Sequence, residues 1–68
     1  MKDLAKQFGR KLREVRKLKG MSQDRLALSA DIDRSYVGRI ERGEVNITLE
    51  KVYQLAKVLG CDIKDLLP

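Results

Sequence analysis

The chain has 68 residues with 15 Lys and Arg against 10 Asp and Glu, no His and one Cys, which gives a net charge of +5. Cys61 has no partner for an internal disulfide, and the lack of His removes the usual mixed zinc sites. The apolar runs are far shorter than the roughly 20 residues that cross a bilayer. The composition therefore predicts one small cytoplasmic domain without metal, cofactor, small-molecule ligand or membrane segment.

Enzymatic activity is disfavoured by the same composition. General acid–base and nucleophilic catalysis depend on His, an activated Cys or carboxylates that converge in a pocket. A chain of this length rarely encloses such a pocket. We therefore interpret the chain as a protein that binds a partner and catalyses no reaction.

The positive charge is concentrated in the first segment. Residues 1–20 contain eight Lys and Arg against Asp3 and Glu14, whereas residues 21–43 contain four cations and four acids. A basic surface favours nucleic acid or an anionic membrane as the partner, and solvated helix faces explain the same balance equally well. Charge alone therefore leaves the partner open.

The first predicted element is an amphipathic helix. Apolar residues recur at steps of three and four positions: Leu4, Phe8, Leu12, Val15 and Leu18. Gly20 follows this stripe and suits the left-handed conformation that often ends a helix. A second helix then begins after Ser22, whose side chain can cap it, and Leu26 and Ala27 face inward.

The break between the second and third helices contains neither Gly nor Pro. Asp31 is the residue there that best tolerates a positive φ. Asp33 then caps a third helix, in which Val37 and Ile40 share the inward face. Gly43 ends this helix.

Two further elements complete the chain. Thr48 caps a fourth helix that ends at Gly60, and Asp62 opens a short fifth segment. The apolar set of the fourth helix is Leu49, Val52, Tyr53, Ala56 and Leu59. No alternating run or hairpin dipeptide indicates a strand. The sequence therefore predicts an all-α, compact five-helix domain that spans residues 1–68.

Several segments at fixed spacing resemble a known family. Residues 23–27 (QDRLA), 31–37 (DIDRSYV) and 40–43 (IERG) resemble the helix-turn-helix domain of phage repressors and Cro proteins, the xenobiotic-response-element type. The resemblance continues through residues 48–50, 55–60 and 66–67, so it covers nearly the whole chain. Residues 33–36 and 46–48 are also similar to the controller proteins of restriction-modification systems. The resemblance implies a lambda-repressor-like fold with the motif at about residues 22–43.

The resemblance implies that three residues of the third helix read base edges in double-stranded DNA: Arg34, Ser35 and Arg39. Arginine suits this role because it binds guanine O6 and N7 in bidentate fashion. For Arg39, a contact to phosphate alone is an equal alternative.

Contacts to the DNA backbone or groove edge are implied for Ser22, Gln23, Tyr36, Arg42 and Asn46. Gln23 lies at the positive end of the second helix and is expected to bind a phosphate, with an exposed surface position as its alternative. Tyr36 either touches DNA or packs at the helix edge. Arg42 and Asn46 fit an ordinary surface loop equally well.

A structural ion pair is expected between Arg16 and Glu41, which the family commonly pairs. It fixes the first helix to the third. The turn position that is usually glycine in the motif is Asp31, so Asp31→Gly is predicted to be neutral or mildly stabilising.

Proteins of this type usually dimerise, so that two recognition helices enter successive major grooves of a palindromic operator. The expected dimer surface is Val45, Ile47, Tyr53, Val58, Ile63 and Leu67. Tyr53 and Ile63 fill the core instead in the alternative interpretation, which the sequence slightly favours.

The leading hypothesis is a sequence-specific transcriptional regulator, either a repressor or an autoregulator. A protein-interaction module of the same fold, similar to an antitoxin or antirepressor, is the alternative, but it has no need of an arginine-rich helix face. A membrane-surface helix at residues 2–19 is a third hypothesis. It requires apolar residues outside any core, whereas Leu12 and Val15 are expected to be buried.

Overall fold

The computed structural model describes residues 3–68, which form four α-helices and one 3₁₀ turn. The helices are α1 (Leu4–Leu18), α2 (Gln23–Ala30), α3 (Arg34–Glu41) and α4 (Leu49–Leu59), and the 3₁₀ turn is Ile63–Asp65. No strand occurs in this part of the chain, which confirms the all-α class. In residues 3–68, no helix combines the length and apolar character that crossing a bilayer requires.

The predicted fifth helix is wrong. Backbone bonds after Asp62 join residues three apart, from Asp65 N to Asp62 O and from Leu66 N to Ile63 O, which is the 3₁₀ pattern. The Asp62 N–H also donates to the Asp65 carboxylate, which closes the turn on itself. Leu66 is fully buried and anchors this turn to the core.

Side-chain caps set the starts of the four helices. Ser22, Asp33 and Thr48 accept backbone N–H groups at 3.0, 3.1 and 3.2 Å, as the sequence predicts. Asp3, for which the sequence analysis predicts no cap, does the same for α1. Because each cap satisfies N–H groups that the helix itself leaves free, the boundaries are determined locally.

The core lies where α1, α2, α3 and α4 meet. Its fully buried side chains come from all four helices and from the residue that follows the 3₁₀ turn: Leu12, Leu26, Val37, Ile40, Leu55 and Leu66. The α1 stripe is confirmed at Phe8 and Leu12, but Leu18 is 84% exposed and Leu4 is also exposed. Leu12 is buried and Val15 packs against the core, so they are not available to a membrane.

Helices α1 and α3 approach closely at Gly9. A Cβ built on Gly9 would lie 2.7 Å from the carbonyl oxygen of Glu41 and would also overlap that of Ile40. The absence of a side chain at Gly9 lets the last turn of α3 rest directly on α1. A side chain at this position would push the two helices apart.

Candidate nucleic-acid interface

The turn between α2 and α3 depends on one left-handed residue. Asp31 has φ 56° and ψ 46°, which confirms the predicted positive φ. Its backbone N–H donates to the carbonyl oxygen of Leu28 at 3.3 Å, and Ile32 N donates to that of Ala27 at 3.0 Å. The chain thus ends α2 and starts α3 within three residues, which is the tight turn of a helix-turn-helix motif.

Helix α3 has a buried face and an exposed polar face. Val37 and Ile40 are buried, as predicted, whereas Ser35, Arg39 and Arg42 are exposed. Arg34, the first residue of α3, is also exposed and lies beside α2, where it forms an ion pair with Asp24. An exposed face of three arginines and a serine has the donors needed to bind guanine edges and phosphates in a major groove.

A buried ion pair joins the C-terminal end of α3 to α1. Arg16 Nε donates to Glu41 Oε2 at 2.6 Å, and Arg16 Nη2 donates to Oε1 at 3.1 Å. The two side chains are 9% and 3% exposed. Arg16 Nη1 also donates to the carbonyl oxygen of Met21 at 2.8 Å, so the guanidinium binds both α3 and the turn before α2. A two-point arginine–carboxylate contact fixes direction as well as distance.

Gln23 joins this cluster. Its side-chain Nε2 donates to Glu41 Oε1 at 3.0 Å, and the residue is half-buried. This half-buried position does not fit the alternative of an exposed surface residue, and the contact of Gln23 with a phosphate stays a prediction. The bond ties the start of α2 to the end of α3. Every buried side-chain nitrogen and oxygen in residues 3–68 has a hydrogen-bond partner.

Arg42 and Glu44 form an exposed pair at the end of α3. Arg42 Nε donates to Glu44 Oε2 at 2.8 Å. The hydrogen bond from Arg42 lowers the pKa of the Glu44 carboxyl, and the same bond raises the pKa of Arg42. The positive charge of Arg39 also lowers the pKa of Glu44, although less strongly. Any anion that binds Arg42 would therefore have to compete with Glu44.

Of the remaining predicted contact residues, two are exposed and one is half-buried. Ser22 and Asn46 are exposed. The Ser22 hydroxyl is already used as the cap of α2. Tyr36 is half-buried and packs against the core, which matches the interpretation that it lies at the helix edge.

The six predicted dimer residues differ in exposure, and the two on α4 lie on different flanks of that helix. Tyr53 is 60% exposed, so the interpretation that it fills the core is wrong, and Leu67 is exposed as well. Val45, Ile47, Val58 and Ile63 are half-buried against the core. Val58 lies about 140° around α4 from Tyr53. Val58 follows Gln54 by one turn, so the two residues share a flank of α4. Gln54 contacts α2 there, because its side chain donates to the carbonyl oxygen of Ala30.

An open apolar groove lies beside Leu67 and borders part of the predicted surface. Its lining includes Leu4, Ile47, Leu49 and Leu67. Leu49, for which the sequence predicts an inward position, is 71% exposed and precedes Tyr53 by one helical turn. We call Leu4, Ile47, Leu49, Tyr53 and Leu67 the apolar patch.

Cys61 does not resemble an activated nucleophile. The thiol is half-buried, and burial together with the charge of Asp65 raises its pKa. The thiolate is the reactive form, so a raised pKa reduces reactivity near neutral pH.

Sequence reasoning missed several residues that shape this interface. Gly9 and Asp24 act through contacts between elements, which no periodicity reports. Glu44 pairs locally with Arg42, and Leu49 is exposed. Asp24 lies at the N-terminal end of α2 and Arg34 at that of α3, so their pairing depends on the angle between the two helices.

Comparison with known proteins identifies the class. The helix-turn-helix family profile (HTH_3) matches residues 12–66. Control protein C.BamHI of Bacillus amyloliquefaciens is 44% identical over 61 residues, which span 88% of this chain and 75% of that protein. Control protein C.SmaI of Serratia marcescens is 34% identical over 65 residues, spanning 96% and 77%.

Solved structures have the same fold. The restriction-modification controller protein C.AhdI from Aeromonas hydrophila matches with a TM-score of 0.89 at 43% identity, covering 93% of this chain and 96% of that one. The hypothetical transcription factor NHTF from Neisseria matches with a TM-score of 0.90 at 33% identity, covering 100% and 80%.

The chain belongs to the helix-turn-helix family of DNA-binding transcriptional regulators. Its relatives include restriction-modification control proteins. This membership confirms the resemblance drawn from the motif residues, and it confirms the non-enzymatic interpretation because the homologues are regulators and control proteins.

Proposed function

We propose that the chain is a homodimeric regulator that binds a palindromic operator, with α3 of each protomer in the major groove. Arg34, Ser35 and Arg39 read base edges, while Ser22, Gln23, Tyr36, Arg42 and Asn46 contact the backbone or groove edge. Binding represses transcription from a promoter that the operator overlaps, including that of its own gene. For a relative of bacterial control proteins, the compartment is the cytoplasm.

One observation carries this proposal: the arginine face of α3 is exposed while its opposite face is held by a buried ion pair. A recognition helix must present its side chains to bases in a fixed orientation, because a bidentate contact tolerates little misplacement. The bonds among Arg16, Glu41 and Gln23 supply that rigidity. The sequence identity with restriction-modification control proteins supports the same role.

The apolar patch supports a homodimer. Leu49 and Tyr53 expose large apolar surfaces on one flank of α4, and Leu4 and Leu67 extend this surface across the groove. Exposed apolar residues that are contiguous mark interaction surfaces, and a second copy of the chain provides a matching apolar surface. Val58 lies on the other flank of α4 and is outside the proposed interface.

Selection of binding sites from random duplex DNA tests the function. The expected product is an inverted repeat whose half-site centres are about one helical turn, roughly 34 Å, apart. Enrichment of a single half-site would support base reading by α3 but contradict the proposed dimer. No enrichment of any sequence would contradict the proposed function and direct the search to a protein partner.

A further inference from the structure

An ion pair links the two helices of the motif at their N-terminal ends. Arg34 Nε lies 3.0 Å from Asp24 Oδ1. The two side chains are 73% and 66% exposed, so the pair faces solvent on the side of the proposed interface. Asp24 is the second residue of α2, and Arg34 is the first residue of α3.

Asp24 suits the first turn of α2, where an acid interacts favourably with the helix dipole, but its pairing with Arg34 adds little to fold stability. Exposed ion pairs contribute little to stability because water screens them and two long side chains lose freedom. A carboxylate close to the proposed DNA site also repels phosphates, which weakens binding to any sequence. Asp24 therefore carries a disadvantage for general DNA affinity that a role in discrimination would offset.

The geometry leaves the base-reading atoms of Arg34 available. Asp24 contacts Nε, which is the inner nitrogen of the guanidinium, and Arg34 has no other ion pair in residues 3–68. The terminal nitrogens Nη1 and Nη2 remain to donate to guanine O6 and N7. Because arginine has many rotamers, a carboxylate that holds its inner nitrogen reduces the freedom lost when the base contact forms.

We propose that Asp24 is a specificity-determining positioning residue: it holds Arg34 in the orientation that reads one base pair of each half-site. This inference rests on the proposed function, in which Arg34 is a base reader. Asp24 itself touches no base. Its contribution is therefore discrimination at the base pair that Arg34 reads, whereas it weakens the affinity for DNA of any other sequence.

The test compares binding to the selected operator, to every single-base-pair variant of a half-site and to scrambled duplex. The variants are Asp24→Asn, Arg34→Ala, Arg39→Ala and the double variant Asp24→Asn/Arg34→Ala. Asp24→Asn is expected to weaken operator binding by about fivefold and to strengthen scrambled-DNA binding by about twofold. Its loss of discrimination is expected at the same base pair as for Arg34→Ala, and not at positions that depend on Arg39.

Asp31→Asn is the matched control. It removes the same charge from the same motif, asparagine tolerates the left-handed conformation, and Asp31 forms no ion pair within the described part of the chain. It is expected to change operator and scrambled-DNA affinities in parallel. In the Arg34→Ala background, Asp24→Asn is expected to leave discrimination unchanged.

The outcomes separate this inference from the proposed function. If the wild-type protein discriminates among sequences and Asp24→Asn discriminates equally well, the positioning role is overturned and the proposed function is not. Loss of discrimination spread over all positions would also overturn it, because that result indicates general disturbance of α2. A wild-type protein with no sequence preference would contradict the proposed function itself. Circular dichroism confirms that each variant is folded.

Discussion

Glu41 joins three segments of the chain through its two carboxylate oxygens. Oε2 accepts from Arg16, and Oε1 accepts from Arg16 and Gln23. Removing one partner of a buried pair leaves the other charge uncompensated, which destabilises a protein by about 3–5 kcal/mol. We therefore expect Glu41→Gln to lower the free energy of unfolding by about this amount in urea titrations.

The exposed Arg42–Glu44 pair provides the control. Glu44→Gln removes the same group from a pair that water already screens, so it is expected to leave the unfolding midpoint nearly unchanged. Replacing Arg16 and Glu41 together by apolar residues is expected to be less harmful than either single change. Equal effects of Glu41→Gln and Glu44→Gln would contradict a structural role for the buried pair.

Asp31 pays a conformational penalty that glycine avoids. Its φ of 56° brings Cβ close to backbone atoms, and glycine populates this region freely. Glycine also increases the conformational entropy of the unfolded chain, which favours unfolding and offsets part of the gain from relieving the left-handed conformation. Asp31→Gly is therefore expected to be neutral or to raise Tm by a few degrees, whereas Asp31→Ala lowers it. A large loss of Tm for Asp31→Gly would contradict the turn geometry.

At the scale of elements, the contact between α1 and α3 depends on Gly9. A methyl group there overlaps backbone oxygens that no rotamer change can move, so Gly9→Ala is expected to lower stability by about 1–3 kcal/mol. Gly38 offers a comparison within α3. Its Cβ would lie 3.1 Å from Arg42 Nη1, at the end of an exposed side chain that can move, and 3.8 Å from Gln23 Oε1. Gly38→Ala is therefore expected to keep or raise stability, because alanine favours helix by about 1 kcal/mol.

Chemical denaturation of the two alanine variants measures this difference. Equal losses would mean that helix α1 adjusts its distance from α3, which contradicts a rigid support for the recognition helix.

Local signals explain why the helix boundaries were predictable. A cap is an interaction within three residues, so Ser22, Asp33 and Thr48 could be identified from neighbouring positions. The exposed residues of α3 could be predicted from the helical period once its two inward residues were identified. The last element was harder, because a single turn carries too few positions to distinguish a 3₁₀ turn from a helix.

Contacts between elements explain what the sequence did not predict. Leu49 and Tyr53 share the spacing of the buried residues of α4, but a helical period does not say which flank another element covers. The contact of Gly9 with α3 and the pairing of Asp24 with Arg34 likewise need the angle between two helices. The ion pair between Arg16 and Glu41 was the exception, since the family resemblance implied it.

At the scale of the whole molecule, the apolar patch determines the proposed assembly. Tyr53→Asp places a charge on exposed apolar surface, so it is expected to give a folded monomer with weakened binding to the inverted repeat. Leu18→Asp is the control, because Leu18 is also exposed but lies at the C-terminal end of α1, outside the apolar patch. Sedimentation equilibrium measures both. A Tyr53→Asp variant that dimerises like wild type would contradict this interface.

The central claim is that α3 reads bases and does not merely bind phosphates. The most direct test measures affinity for the best selected operator and for a scrambled duplex at two salt concentrations. Phosphate contacts lose affinity steeply with salt for any sequence, whereas base contacts set the ratio between the two duplexes. The account predicts that the operator binds at least about a thousandfold more tightly than scrambled DNA and that a clear preference persists at the higher salt. Equal, weak binding that disappears with salt would contradict it.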